Sequence, residues 1–104
     1  MTEIAPEFND VIHSPVRLRI CGLLRTVDEL EFAVIRDTLD IADAHLSKNL
    51  KLLADAEVVS LRKERSSARP DARRLTWIAL TGSGRRAVDA HLAALRQIAD
   101  GTAP

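Results

Sequence analysis

The chain has 104 residues, 46% apolar and 29% charged, with a formal net charge of zero. That length supports one domain, whose folding buries roughly 65% of the unfolded surface, enough for a core without disulfide or metal staples. No apolar run approaches the roughly 18 residues of a membrane span, and residues 1–7 lack the basic start and apolar stretch of a signal peptide. The single cysteine, Cys21, excludes an internal disulfide and points to a reducing, cytoplasmic setting. Three aromatics (Phe8, Phe32, Trp77) and no Tyr argue against folds that stack single-stranded bases.

In chain order, Phe8, Val11 and Ile12 form an apolar cluster read as a helical turn or two ending at His13. Ser14-Pro15 then starts a helix, because Ser caps well and Pro lacks only an N–H that would be unbonded at the first helical position. Val16, Ile20, Leu23, Leu24 and Val27 follow at helical spacing, with Leu18 and Cys21 widening the apolar arc. Phe32, Ile35 and Leu39 mark a short second helix, and Asp40-Ile41-Ala42 a tight connection. A third helix runs from about Asp43 to Ala56, with Leu46, Leu50 and Leu53 as a narrow apolar stripe. Opposite the stripe lie Ala44, Lys48, Lys51 and Asp55, with His45 and Ser47 on the flanks and Asn49 nearer the core edge.

The period then shortens. Residues 58–63 and 74–80 are β-branched and apolar segments of strand length, and the polar stretch 64–73 between them is a long hairpin loop. Thr81-Gly82-Ser83-Gly84 breaks the second strand and offers Thr81 or Ser83 as a cap. A last helix spans about 84–99, with Val88, Leu92, Leu95 and Ala99 on one face and His91 and Ile98 beside it. Charge follows this division. Residues 1–60 hold eleven acids and six bases, net −5, whereas 61–86 hold eight bases and two acids, net +6. A local basic run attracts a polyanion whatever the total charge. Two helices joined by a tight turn, followed by a basic hairpin, make a winged helix-turn-helix, mainly α with a small antiparallel β-hairpin. One domain covers 1–104, with the helix-turn-helix at about 32–56, the wing at about 58–80 and a terminal helix at about 84–99.

Four segments resemble the small winged-helix transcriptional regulators of the MarR and ArsR groups. They are Ile12-His13-Ser14-Pro15-Val16-Arg17-Leu18-Arg19-Ile20, the second-helix run from Phe32 to Leu39, the recognition-helix pattern Leu46-Ser47-Lys48-Asn49-Leu50-Lys51-Leu52-Leu53, and Leu80-Thr81 through Gly84-Arg85 and Ala87. The resemblance implies double-stranded DNA binding, and it departs at two places. Ala56-Glu57 stands where the family usually has Ala-Gly, so either Glu57 bears a strain of about 1 kcal/mol or the helix ends differently. Lys48 and Asn49 replace the Arg and His common on the recognition helix, and Lys grips phosphate better than it reads guanine.

Within that frame, Ala44, His45, Ser47, Lys48, Asn49 and Lys51 are the expected major-groove contacts. Arg65, Arg69 and Arg73 are the expected wing contacts to backbone or minor groove. Arg62 and Arg74 either join them or lie across the hairpin's exposed face. Phe8, Val11, Ile12, Val88, Leu92, Leu95 and Ala99 are expected to pair two subunits, the alternative being a last helix folded back on its own wing. Cys21 reads as a small core residue rather than a thiol sensor. Asp89 and His91 resemble half of a zinc pair, but no further ligand follows. No catalytic constellation and no cofactor motif is visible, so no enzyme and no cofactor are expected. The expected partners are DNA and a second copy of the chain. The rival reading is a winged-helix protein-interaction module, favoured by the acidic first sixty residues.

Overall fold

The computed structural model describes residues 4–65 and 74–102. Its elements are α1 (Pro15–Leu24), β1 (Leu30–Glu31), α2 (Phe32–Leu39), α3 (Asp43–Asp55), β2 (Val59–Arg65), β3 (Arg74–Leu80) and α4 (Gly82–Ala99). Local chemistry sets most of these boundaries. Ser14 caps α1 by accepting a hydrogen bond from the Arg17 amide, and Pro15 occupies the first turn. Thr81 caps α4 by accepting from the Gly84 amide at 2.8 Å, so that helix starts two residues earlier than expected. Residues 9–13 form a single turn, closed by the His13 amide on the Asn9 carbonyl at 2.9 Å.

The sheet has three strands rather than a bare hairpin. β1 pairs antiparallel with β3 (Leu30 opposite Ile78, Glu31 opposite Trp77), giving the order β1-β3-β2. Two residues carry no periodicity, and β1 exists only because β3 offers an open edge to the chain entering α2. One core joins all layers: Ile20 and Leu24 from α1, Ile35 from α2, Leu46 and Leu53 from α3, Ile78 from β3 and Val88 from α4 are fully buried. Burial of this kind is worth roughly 1.5–3 kcal/mol per large apolar side chain, so it anchors α3 far more firmly than any surface ion pair. Among the described residues no helix is long and apolar enough to cross a membrane.

Both helices of the helix-turn-helix end through a left-handed residue. Asp40, directly after α2, has φ 54°, and Glu57, after α3, has φ 62°. At the end of α3 the Val58 amide bonds to the Leu53 carbonyl at 2.9 Å and the Glu57 amide to Ala54 at 2.9 Å. This pair of bonds is the Schellman closure, and of the two outcomes open at Glu57 the structure adopts the strained one. Asp tolerates this region by local hydrogen bonding; Glu has no such advantage.

Candidate nucleic-acid interface

α3 buries Leu46, Asn49, Leu50 and Leu53 and turns Ala44, His45, Ser47, Lys48 and Lys51 to solvent. Lys51 shares its charge with Asp55 one turn on, at 3.1 Å. Among the described residues Lys48 has no ion-pair partner, so its ammonium is the open cation of this face. Leu52, 42% exposed, lies on the same outward side; its apolar character gives no sign in the sequence that it is a surface residue.

Asn49 does not belong to that face. It is only 6% exposed: its side-chain amide donates to the His45 carbonyl at 2.9 Å, and its oxygen accepts from the Arg17 guanidinium at 2.9 Å. A buried amide needs such partners, and Arg17 supplies one from α1. Its expected place in the groove is therefore corrected to a structural one, tying the recognition helix to α1.

The wing is fastened to the end of α3. The Thr81 amide bonds to the Val58 carbonyl at 3.0 Å, and the Thr81 hydroxyl donates to the Glu57 carbonyl at 2.7 Å. Gly84 lies so close that a β-carbon there would fall 1.9 Å from the Val58 oxygen. Along β2 alternate residues face opposite ways. Val59, Leu61, Lys63 and Arg65 share the side turned to α3, and Leu61, Lys63 and Thr76 line a cleft of about 470 Å³ with Ser47, Lys51 and Asp55 of α3. Lys63 and Arg65 are exposed on that side. Lys63 was visible in the basic run, but only the strand register separates it from its neighbour Arg62.

Arg62 faces the other way. It pairs with Glu29 and Glu64, each at 2.8 Å, and its guanidinium lies 5.7 Å from the centre of the Trp77 ring. Its hydrogen bonds to the carboxylates of Glu64 first and Glu29 second raise its pKa. Of the two placements left open for it, the structure adopts the exposed face away from α3. Arg85 is likewise engaged, donating to the Arg25 carbonyl at 2.7 Å. Arg69 and Arg73, expected at the wing tip, lie outside the described residues.

The terminal-helix set divides. Phe8 is 43% exposed, Leu92 and Leu95 are half-buried, and Ala99 is exposed beside Ile98, which is 53% exposed. Ile12 and Val88, expected at a subunit contact, are 0% exposed within the single chain and belong to its own core; Val11 is half-buried against that core. α4 is rotated from the expected stripe, burying Gly84, Val88, His91 and Ala94. Burial pushes the Cys21 thiol up to about 11, against the opposing Arg17 charge, which disfavours the reactive thiolate. Asp89 pairs with Arg25 at 2.8 Å while His91 turns inward to Asn9 and His13, so the two side chains serve different partners. Among the described residues no group of three potential metal ligands occurs.

A helix-turn-helix with an open polar face, backed by a three-stranded sheet whose hairpin flanks it, defines a winged-helix nucleic-acid-binding module. The family model described as winged helix DNA-binding domain matches residues 16–99, and the chain belongs to that family: it is a DNA-binding protein, not an enzyme. The likeness to MarR-type regulators read from the sequence holds at the level of the fold. A transcriptional regulator homologue from Pyrococcus horikoshii superposes with a TM-score of 0.79 at 24% identity, covering 88% of this chain and 86% of that one. BpsR of Bordetella bronchiseptica, whose DNA binding is regulated by 6-hydroxynicotinic acid, gives 0.66 at 17% identity over 91% and 68%. ZitR of Lactococcus lactis, a zinc-responsive MarR family member, gives 0.61 at 18% over 97% and 64%. No curated protein matches the sequence.

Proposed function

We propose that the protein is a homodimeric transcriptional regulator that binds double-stranded DNA sequence-specifically, with α3 in the major groove and the wing on backbone or minor groove. His45, Ser47 and Lys48 reach base edges; Lys51, Lys63, Arg65 and, at the tip, Arg69 and Arg73 meet phosphates. The observation that carries this reading is the pairing of an unburied polar face on α3 with exposed Lys63 across one cleft, with Arg65 exposed two residues further along the same strand. Such a surface suits a polyanion entering from that side, and the buried stripe behind it fixes the helix that would read bases.

Phe8, Leu95, Ile98 and Ala99, together with Leu92 at the margin of the core, supply the apolar surface on which a second copy packs through α4. A twofold dimer presents two recognition helices roughly 34 Å apart, one turn of DNA. The test is a retardation assay on duplex DNA at low salt, with Lys63→Ala/Arg65→Ala as the control. A retarded complex that the control weakens supports the reading. Absence of binding favours the protein-interaction module instead. In parallel, Leu92→Asp with Leu95→Asp should give monomers by light scattering while circular dichroism stays helical. A wild-type monomer at tens of micromolar, the order of magnitude at which weak dimers still form, contradicts the dimer.

A further inference from the structure

The DNA-facing surface leaves one polar cluster unused, on the far side of the core. His91 of α4 is completely buried, yet both its ring nitrogens are bonded. The Asn9 amide donates to its Nδ1 at 3.0 Å, and its Nε2 lies 3.3 Å from Nδ1 of His13. The Phe8 ring packs beside both imidazoles, 4.7 Å from the exposed His13 and 4.8 Å, edge to face, from His91. A backbone amide always carries its hydrogen, so Nδ1 of His91 must accept and the ring's one proton sits on Nε2. That proton points at Nδ1 of His13, which must accept in turn. One arrangement satisfies the whole set, and in it both rings are neutral. An added proton on either ring leaves two N–H groups facing each other, either between the imidazoles or between His91 and Asn9.

The cluster continues to the recognition helix. Asn9 organises the turn it begins, its side chain accepting from the Ile12 amide at 3.0 Å and its carbonyl from the His13 amide. The Val11 carbonyl in that turn accepts from Nε of Arg17, whose Nη1 donates to Asn49, which holds the His45 carbonyl of α3. We propose that His13 and His91 form an acid-sensitive latch. One proton opens it, loosens the 9–13 turn and, through Arg17 and Asn49, the seat of α3, so that DNA binding weakens on acidification. This rests on the DNA-binding reading above.

Burial first and His13 second hold the His91 pKa below the ordinary imidazole value, while Asp10 in the turn opposes them. The other charges nearby are Arg17 on α1, Asp89 on α4, which is paired with Arg25, and Glu7, whose amide bonds to Ala90 beside His91. Because the folded pKa is depressed, the unfolded chain binds more protons. The stabilisation is therefore present above about pH 6.5 and is lost progressively as pH falls below that, through the folded value. The sign on DNA is distinctive: positive charge gained on a DNA-facing surface tightens binding to a polyanion, whereas opening the latch weakens it.

The chain has three histidines, so variants separate these effects. The probe is a fluorescein-labelled duplex selected from a random library, titrated by anisotropy at constant salt near pH 7.5 and near pH 5.5. Wild type and His45→Gln should lose about tenfold in affinity, and His13→Gln and His91→Gln less than about threefold. Wild-type binding that tightens in acid, or an undiminished loss in His13→Gln, overturns the latch. If no duplex binds at any pH, the DNA-binding reading fails, and hydrogen exchange judges the latch alone. Protection of the Asn9 and Ile12 amides, corrected for intrinsic rates, should fall by about tenfold or more in acid in wild type. Unchanged protection overturns it.

Discussion

α3 and the wing strand β2 flank one cleft and both carry cations, but they hold them differently. α3 is pinned along its length by Leu46, Leu50 and Leu53 and by the Asn49–Arg17 bond, so Lys48 projects from a rigid support. β2 is buried only at Val59, its first residue, and runs outward exposed from Ser60 to Arg65. Its cations also split by register: Lys63 lines the cleft and Arg65 follows on the same side of the strand, while Arg62 faces away and is held by Glu29 and Glu64. A rigid, well-buried element suits recognition that depends on position, and an extended arm suits contacts that depend only on charge. The pair also shows that a basic run overstates the charge available to a partner: Arg62 and Arg85 serve the protein's own acids and carbonyls.

The largest expected effect breaks the joint between the two regions. Gly84→Ala places a β-carbon against the Val58 carbonyl, which backbone on both sides prevents from yielding. It should cost about 3 kcal/mol or more of stability, read from the urea midpoint. On α3, Lys48→Ala should cost about 1–3 kcal/mol of affinity for a selected duplex and much less for random DNA, measured by competition. At the helix end, Glu57→Gly relieves the left-handed conformation at φ 62° and should stabilise by about 1 kcal/mol in thermal unfolding. The smallest effect is on the far face of the wing. Arg62→Ala should leave the salt dependence of DNA binding unchanged, whereas Lys63→Ala should lower the slope by about 0.9.

What could be read beforehand follows the range of the interactions. Ser14-Pro15 and Thr81 are caps, whose chemistry lies within three residues, so they were legible. The Leu46, Leu50 and Leu53 stripe was legible because helical period alone defines it. Glu57 is legible through the glycine that resembling proteins have there. The inward place of Asn49 is not legible, because its partner Arg17 lies 32 residues away and nothing local turns its amide inward. The buried face of α4 is illegible for the same reason: the partners of His91, Asn9 and His13, lie 82 and 78 residues away. β1 depends on the edge of β3, some 46 residues distant in pairing, and has no pattern of its own.

The proposed division of labour is base reading by α3 and phosphate grip by the wing. Its most direct measurement is a salt titration of affinity for wild type, Lys48→Ala and Lys63→Ala/Arg65→Ala on a selected duplex and a random one. The wing pair should weaken both duplexes alike and lower the slope of log affinity against log salt by about 1.8, while Lys48→Ala should erase most of the preference for the selected duplex. A wing pair that binds both duplexes as tightly as wild type, with the slope unchanged, would rule out that division and leave the protein-interaction reading in its place.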